Sequence, residues 1–469
     1  MKVKKKLFVI IFCFAMLVVT TSVFAVIIND NHSGEATVKL ADSENILKGE
    51  GVSITNNIIT INRAGTYEFD GNLSDGQLVV DVKSGNVVIK LNNANITSKN
   101  GSALLVKNAH KVSVHVEKNT TNTLTSGCKN DGINSKAKKV NTISSTQPIS
   151  FSGTGDLFVN GYKGDGISCT NGLFFTKSNV DITSNYRGIY TADNIDMREG
   201  SYHFNTKEEC LYVKGYVTSN EATIKMNSKK TGVVVDGSVS FAKCKMTVEA
   251  LQKGIKTNAG IILTENNIKM TSNDSALEAK DTIKDSDNNL VVSNSLNGFV
   301  AGNIISSDKS LGITAQNSAF IAKDSSKDIS IQSGKMTFNV GEAVFKTPGN
   351  VLIENGDMCI TNQGDLKKIL ESETGKLIME TGKFFAATKG DVEGVFSDET
   401  KVDYAVVTLP EVVPVGTEIS ICDVNNNELY KYTANSDTSS LVYAADDLPD
   451  KVIIKYNDKA IEQPVTVQQ

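Results

Sequence analysis

Apolar and polar residues alternate along most of this chain, and the alternation itself recurs at a fixed interval. From Gly166-Ile167, steps of 22 residues land on Gly188-Ile189, Cys210-Leu211, Gly232-Val233, Gly254-Ile255, Ala276-Leu277 and Gly298-Phe299. Ala319-Phe320 and Ala343-Val344 extend the series at steps of 21 and 24. A period of this size marks a solenoid, in which each coil buries its apolar face only by stacking on its neighbours.

Further apolar columns show which solenoid. Leu173, Ile195, Val217, Val239, Ile261 and Ile283 share one phase of the repeat. Val180, Tyr202, Ile224, Met246, Ile268 and Leu290 share another, and the residues two positions on (Ile182, Phe204, Met226, Val248, Met270, Val292) a third. Stretches such as Val180-Asp181-Ile182 alternate with period two, the mark of strands rather than helices. Asn171-Gly172, Asp236-Gly237, Asn266-Asn267 and Asn288-Asn289 supply residues that tolerate left-handed turns. Each coil therefore reads as about three short strands, and the fold class as all-β: a right-handed parallel β-helix with 22-residue coils. The regular leucine frame of a leucine-rich repeat is absent.

The pattern divides the chain. Residues 1–28 hold a basic start (Lys2 to Lys6) and an uncharged apolar run, which reads as a signal peptide or an N-terminal membrane anchor. Either one places the remainder outside the cytoplasm, secreted or at the cell surface, and a retained anchor would be its one membrane contact. Residues 29–50 read as a polar tether, 51–396 as the β-helix, and 397–469 as a small antiparallel C-terminal β unit. Its strands are expected at Tyr404–Leu409, Glu418–Cys422, Leu429–Tyr432, Leu441–Tyr443 and Val452–Tyr456. Around Asp365–Ser372 the spacing of Leu366, Ile369 and Leu370 predicts one or two helical turns. Between Lys129 and Lys163 an insertion carries the basic loop Lys136-Ala137-Lys138-Lys139.

Composition narrows the function. The chain has 6 Pro, of which only Pro148 and Pro348 precede residue 400, as expected where strand ladders dominate. Net charge is −5, and removal of Lys2, Lys4, Lys5 and Lys6 would leave 44 basic against 53 acidic residues. That balance argues against nucleic acid as a partner. Cys128, Cys169, Cys210, Cys244, Cys359 and Cys422 fall in no zinc-binding spacing and are expected as unpaired, mostly buried thiols. His32, His110, His115 and His203 are scattered.

An ordered set of short stretches resembles the clostridial carbohydrate-binding domain family. They are Ala64-Gly65-Thr66-Tyr67, Gly71-Asn72-Leu73-Ser74-Asp75-Gly76-Gln77, Asn95-Ile96-Thr97-Ser98, Lys107-Asn108-Ala109-His110-Lys111-Val112, Thr120-Thr121-Asn122-Thr123-Leu124, Phe151-Ser152-Gly153-Thr154-Gly155 and Gly164-Asp165-Gly166-Ile167. The resemblance implies a secreted β-helix that binds cellulose or acidic polysaccharide and carries calcium. Family members tend to repeat Asp-Asp-Gly-Ile at successive coils. Here the residue before the small position runs Asp165, Arg187, Glu209, Thr231, Lys253, Ser275, Asn297, with Glu208 beside Glu209. Calcium takes six to eight oxygen ligands, which no single coil here supplies. Asp165, Glu208 and Glu209 are the candidate calcium set, reaching across two coils.

The leading functional reading is a non-catalytic extracellular binder of acidic or plant cell-wall polysaccharide. Tyr186, Arg187, Lys230 and Lys253 are its candidate ligand-binding residues, because cations at one corner suit uronates and Arg can grip a carboxylate bidentately. With no Trp, aromatic stacking rests on Tyr186, Tyr190, Tyr202, Tyr212 and Tyr216, of which Tyr202 lies in a core column. The competing reading of the corner is structural, with Arg187 paired to Asp165 and Glu209 between coils. A structural surface protein or adhesin is the first alternative. A polysaccharide lyase with Arg187 or Lys230 as base and Asp165 and Glu208 as metal ligands is the second.

Overall fold

The computed structural model describes residues 33–129, 139–362, 368–390, 392 and 395–468. The signal or anchor at 1–28, Asp131 and Lys136 to Lys138 lie outside them. No helix occurs among the described residues, and none is long and apolar enough to cross a membrane.

Three strands per coil stack into three parallel faces. In one coil these are Ile255–Thr257, Ile261–Thr264 and Asn267–Ser272, here called the first, second and third face. The first-face strand pairs in register with Val233–Val235 before it and with Ser275–Ala279 after it, one 22-residue step either way. On all three faces the side chains alternate between a sealed interior and solvent, so the period-two pattern becomes one continuous core. The interior aromatics stack along the axis: Phe151 lies 5.1 Å from Phe175, and Phe175 lies 5.5 Å from Tyr202.

The small column is explained by coil spacing. A Cβ on Gly254 would lie 2.4 Å from the carbonyl oxygen of Ala276, and one on Gly298 2.4 Å from that of Ala319. Between the second and third faces the chain turns through one left-handed residue per coil. These residues are Lys177, Glu199, Glu221, Lys243, Glu265 and Asp287, with φ between 49° and 56°. Asn266 and Asn288, expected as left-handed turn residues, instead point inward and are buried. Asn266 Nδ2 donates to Phe241 O at 2.9 Å and to Asn288 Oδ1 at 2.9 Å, and Asn288 Nδ2 donates to Asp308 Oδ1 at 2.7 Å. The preceding exposed acidic residue, Glu265 or Asp287, takes the left-handed conformation, which frees the asparagine amide to serve buried groups.

Two local expectations are corrected. Residues 29–50 are not wholly a tether: Gly34–Leu40 is a strand pairing parallel with Gly65–Leu73, with Ala36, Val38 and Leu40 inward. Its other edge is covered by Ile46–Gly49, and the hairpin of Val52–Thr55 with Ile58–Ile61 opens the first face, so these elements cap the helix. Instead of helical turns, Lys368–Glu371 is a first-face strand that aligns Leu370 with Phe345, and 363–367 lie outside the described residues. The ladder offered by the preceding coil outweighs a short local helix signal.

At the other end, Lys383–Thr388 of the third face pairs antiparallel with Thr438–Ala445, which also pairs with Asp403–Val413. A four-stranded sheet of Glu428–Thr433, Glu418–Cys422, Lys451–Tyr456 and Lys459–Pro464 completes the unit, with Phe385 stacked 4.5 Å from Tyr430. The terminal sheet edge is thereby covered.

Candidate functional site

The corner that leads from the third face into the first is held by hydroxyls. Ser184 Oγ donates to Gly164 O at 2.9 Å, and Ser228 Oγ donates to Glu208 O at 2.7 Å. These bonds fix the backbone just ahead of the small column and set the direction of the charged residues there.

Asp165 and Arg187 stand one coil apart in that column. Arg187 Nε donates to Asp165 Oδ1 at 3.1 Å, Nη2 to Oδ2 at 2.9 Å, and the Arg187 amide to Oδ1 at 3.2 Å. Asp165 is buried, and Arg187 is mostly so. Burial alone pulls the guanidinium downward in pKa. The hydrogen bond and charge of Asp165, with Glu208 and Glu209, outweigh it and leave the net shift upward. Arg187 is thus held charged, which is the wrong direction for a proton-abstracting base.

The other predicted cations are also engaged. Lys230 lies 3.4 Å from Glu208 and 4.0 Å from Glu209. Lys139 sits 4.0 Å from Glu208 and 4.2 Å from the ring centre of Tyr186. Tyr186 is buried and offers no open stacking face. Lys253 contacts Asp274 at 2.6 Å and Glu278 at 2.5 Å; burial works against its charge, but these two partners raise its pKa on balance. The candidate calcium set fits poorly. Both Asp165 oxygens are occupied by Arg187, Glu208 and Glu209 face Lys230, and no group of three metal-ligating side chains gathers among the described residues.

Two surfaces beside this corner remain open. On the first face Tyr190 and Tyr212 project outward from paired positions of neighbouring strands, ring centres 6.0 Å apart and tilted by 33°. Arg187 lies beneath, 4.4 Å from the Tyr190 ring and 5.2 Å from the Tyr212 ring, and Lys214 flanks Tyr212 at 5.2 Å. Tyr202 is buried as its column predicts, and Tyr216 is exposed near a turn.

The third face carries the second surface. Its register aligns Lys225, Thr247 and Lys269 across three coils, and Thr223, Lys245 and Asn267 beside them. Lys225, Lys245 and Lys269 are exposed and make no ion pair with any described residue. With strands about 4.8 Å apart, Lys225 and Lys269 lie roughly 10 Å from each other. Glu249 is the acid on this grid, one residue pair beyond Thr247. Next to it an open cleft of about 350 Å³ is lined by Asn227, Lys229, Glu249, Leu251, Thr271 and Asn273. The alternation places these lysines outward, but nothing along the chain says that they lack partners; that depends on which residues the neighbouring coils bring alongside.

A family profile described as carbohydrate-binding domain-containing protein matches residues 55–365. A protein of that description from Acetivibrio thermocellus is 27% identical over 248 residues, covering 50% of this chain and 86% of that protein. Among solved structures, one described as the polysaccharide lyase-like protein from C. thermocellum (gadolinium derivative) is 20% identical, with a TM-score of 0.33 over 58% of this chain and 94% of the other.

Proposed function

The chain belongs to the carbohydrate-binding domain-containing family, and from that premise we propose that it is a non-catalytic, exported binder of acidic polysaccharide, gripped on the third face by Lys225, Lys245 and Lys269. The observation that carries this reading is the contrast between two sets of cations. Arg187, Lys230 and Lys253 are neutralised within the protein, whereas the three third-face lysines are exposed and have no ion-pair partner among the described residues, in a chain of net charge −5. A flat face with charges spaced by the coil rise suits an extended anionic polymer. The basic and apolar N-terminal segment supports export, which would bring this face to cell-wall glycans. The non-catalytic part rests on the engagement of both candidate bases: Arg187 is clamped on Asp165, and Lys230 faces Glu208 and Glu209.

The test is binding of polygalacturonate at low and high salt, with product formation monitored. The wild type is expected to bind in low salt and weaken as salt rises. The Lys225→Gln/Lys245→Gln/Lys269→Gln variant should lose about tenfold or more, at the few-fold per exposed charge usual for such contacts. Equal binding by the triple variant would sink the third-face assignment, and appearance of unsaturated uronate would sink the non-catalytic one.

A second reading is favoured by the Tyr190–Tyr212 pair. Tilted, solvent-facing rings on a rigid sheet form a platform on which a neutral sugar ring can stack. Tyr190→Ala/Tyr212→Ala separates the two readings, since it should abolish binding to cellulose and leave the salt-sensitive binding of the uronate polymer intact.

A further inference from the structure

Inside the β-helix, at inward positions one coil beyond Lys269, two carboxyl groups face each other. Asp285 occupies an inward position of the second face, where the register puts Leu263 in the coil before and Ser306 in the coil after. Asp308 follows that next strand and terminates the asparagine ladder. Asp285 is 0% exposed and Asp308 1%.

Each acid has one satisfied and one orphaned oxygen. Asp285 Oδ2 accepts from Ser306 Oγ at 3.1 Å. Asp308 Oδ1 accepts from the Asn288 amide at 3.0 Å and from Asn288 Nδ2 at 2.7 Å. Asp285 Oδ1 and Asp308 Oδ2 are buried with no donor, and the two side chains are within hydrogen-bonding reach of each other. Two ionised carboxylates cannot share such a site, but one proton between them satisfies both orphaned oxygens.

We propose that Asp285 and Asp308 hold one proton between them, carried on Asp285 and donated to Asp308 Oδ2, and that its loss on the alkaline side loosens the coils around residues 283–315. The charged groups acting on the pair are its own two members and Asp287 at the adjoining turn, all acidic. Ser306 and Asn288 are the neutral polar partners, and Leu263 and Ile331 close the column along the axis. Burial first, then the Asp308 charge, hold the Asp285 carboxyl well above the usual carboxylate range. A carboxyl raised in this way stabilises the fold fully below its unfolded pKa, and that contribution is lost as pH climbs towards and through the folded value.

Asp285→Asn tests this, since an amide donates to Asp308 as the protonated acid does but holds no titrating proton; Asp308→Asn is the second variant. Thermal unfolding is followed from pH 5 to pH 9, with amide hydrogen exchange corrected for intrinsic rate. The melting temperature of Asp285→Asn should exceed that of wild type by a margin that grows with pH, by about 2 °C or more over this range. Wild-type exchange at 283–315 should accelerate about tenfold or more relative to the coils at 87–126, and Asp285→Asn should suppress that rise. If neither variant changes the pH dependence, or if the acceleration is the same in all coils, the shared proton is overturned. If Asp285→Asn fails to fold, Asp308→Asn is read by the same two criteria.

Discussion

Arg187 closes on Asp165 of the preceding coil with two nearly parallel hydrogen bonds, 3.1 and 2.9 Å long, while its guanidinium plane supports the Tyr190 ring from 4.4 Å. One side chain therefore neutralises a buried acid and props the half-buried, outward-facing aromatic pair. Arg187→Ala leaves Asp165 buried without its counter-charge and should cost about 3 kcal/mol. Arg187→Lys keeps the charge, loses the fork, and should cost roughly 1 kcal/mol. Denaturant unfolding measures both, and a cycle with Asp165→Asn isolates the pair, since removal of both partners should cost less than Arg187→Ala alone.

The asparagine ladder gives a second expected outcome. Asn266 Oδ1 accepts from the buried amide of Cys244 at 2.8 Å, and its Nδ2 serves Phe241 O and Asn288 Oδ1. Asn266→Ala orphans several buried groups together and should destabilise by about 2–3 kcal/mol. A loss under 0.5 kcal/mol in equilibrium unfolding would show that the ladder contributes little.

Calcium should act weakly at the Asp165 corner. With both Asp165 oxygens on Arg187, added calcium is expected to leave the melting temperature of wild type and of Glu208→Gln/Glu209→Gln equally unmoved. A calcium-induced rise in wild type that this variant abolishes would place an ion there.

The thiols should separate by burial. Burial pushes the Cys169 thiol up to about 11 and the Cys210 thiol up to about 12, whereas Cys128 is exposed. At pH 8 neither buried group holds appreciable thiolate, so an alkylating reagent should modify Cys128 first. Cys169 and Cys210 should react only after denaturation, as peptide mapping by mass spectrometry would report.

The absence of Trp makes tyrosine emission a direct reporter. A neutral glycan stacking on Tyr190 and Tyr212 should alter that emission, and the change should vanish in Tyr190→Ala/Tyr212→Ala. A uronate polymer bound at the third face should leave it nearly unchanged.

The sequence by itself determined the coil. Gly166, Gly188, Cys210, Gly232 and Gly254 recur at steps of 22 residues, and the alternation of Val180-Asp181-Ile182 makes the intervening segments strands, because inter-coil spacing and strand pleat act on every repeat alike. Strand pleat alone made five strands of the C-terminal unit legible but not the edge strand Lys459–Pro464, and Arg187 facing Asp165 was legible as one of two readings. What only the tertiary structure decided is which side chains meet across coils. The strand at Gly34–Leu40 joins the helix because a neighbouring edge is available. Asn266 turns inward because Glu265 takes the left-handed turn. The corner cations are neutralised, the third-face lysines are left open, and Asp285 meets Asp308, a residue 23 positions away. Such pairings depend on the registered contact between coils, which a repeating pattern permits at every position but does not assign to any particular pair of charges.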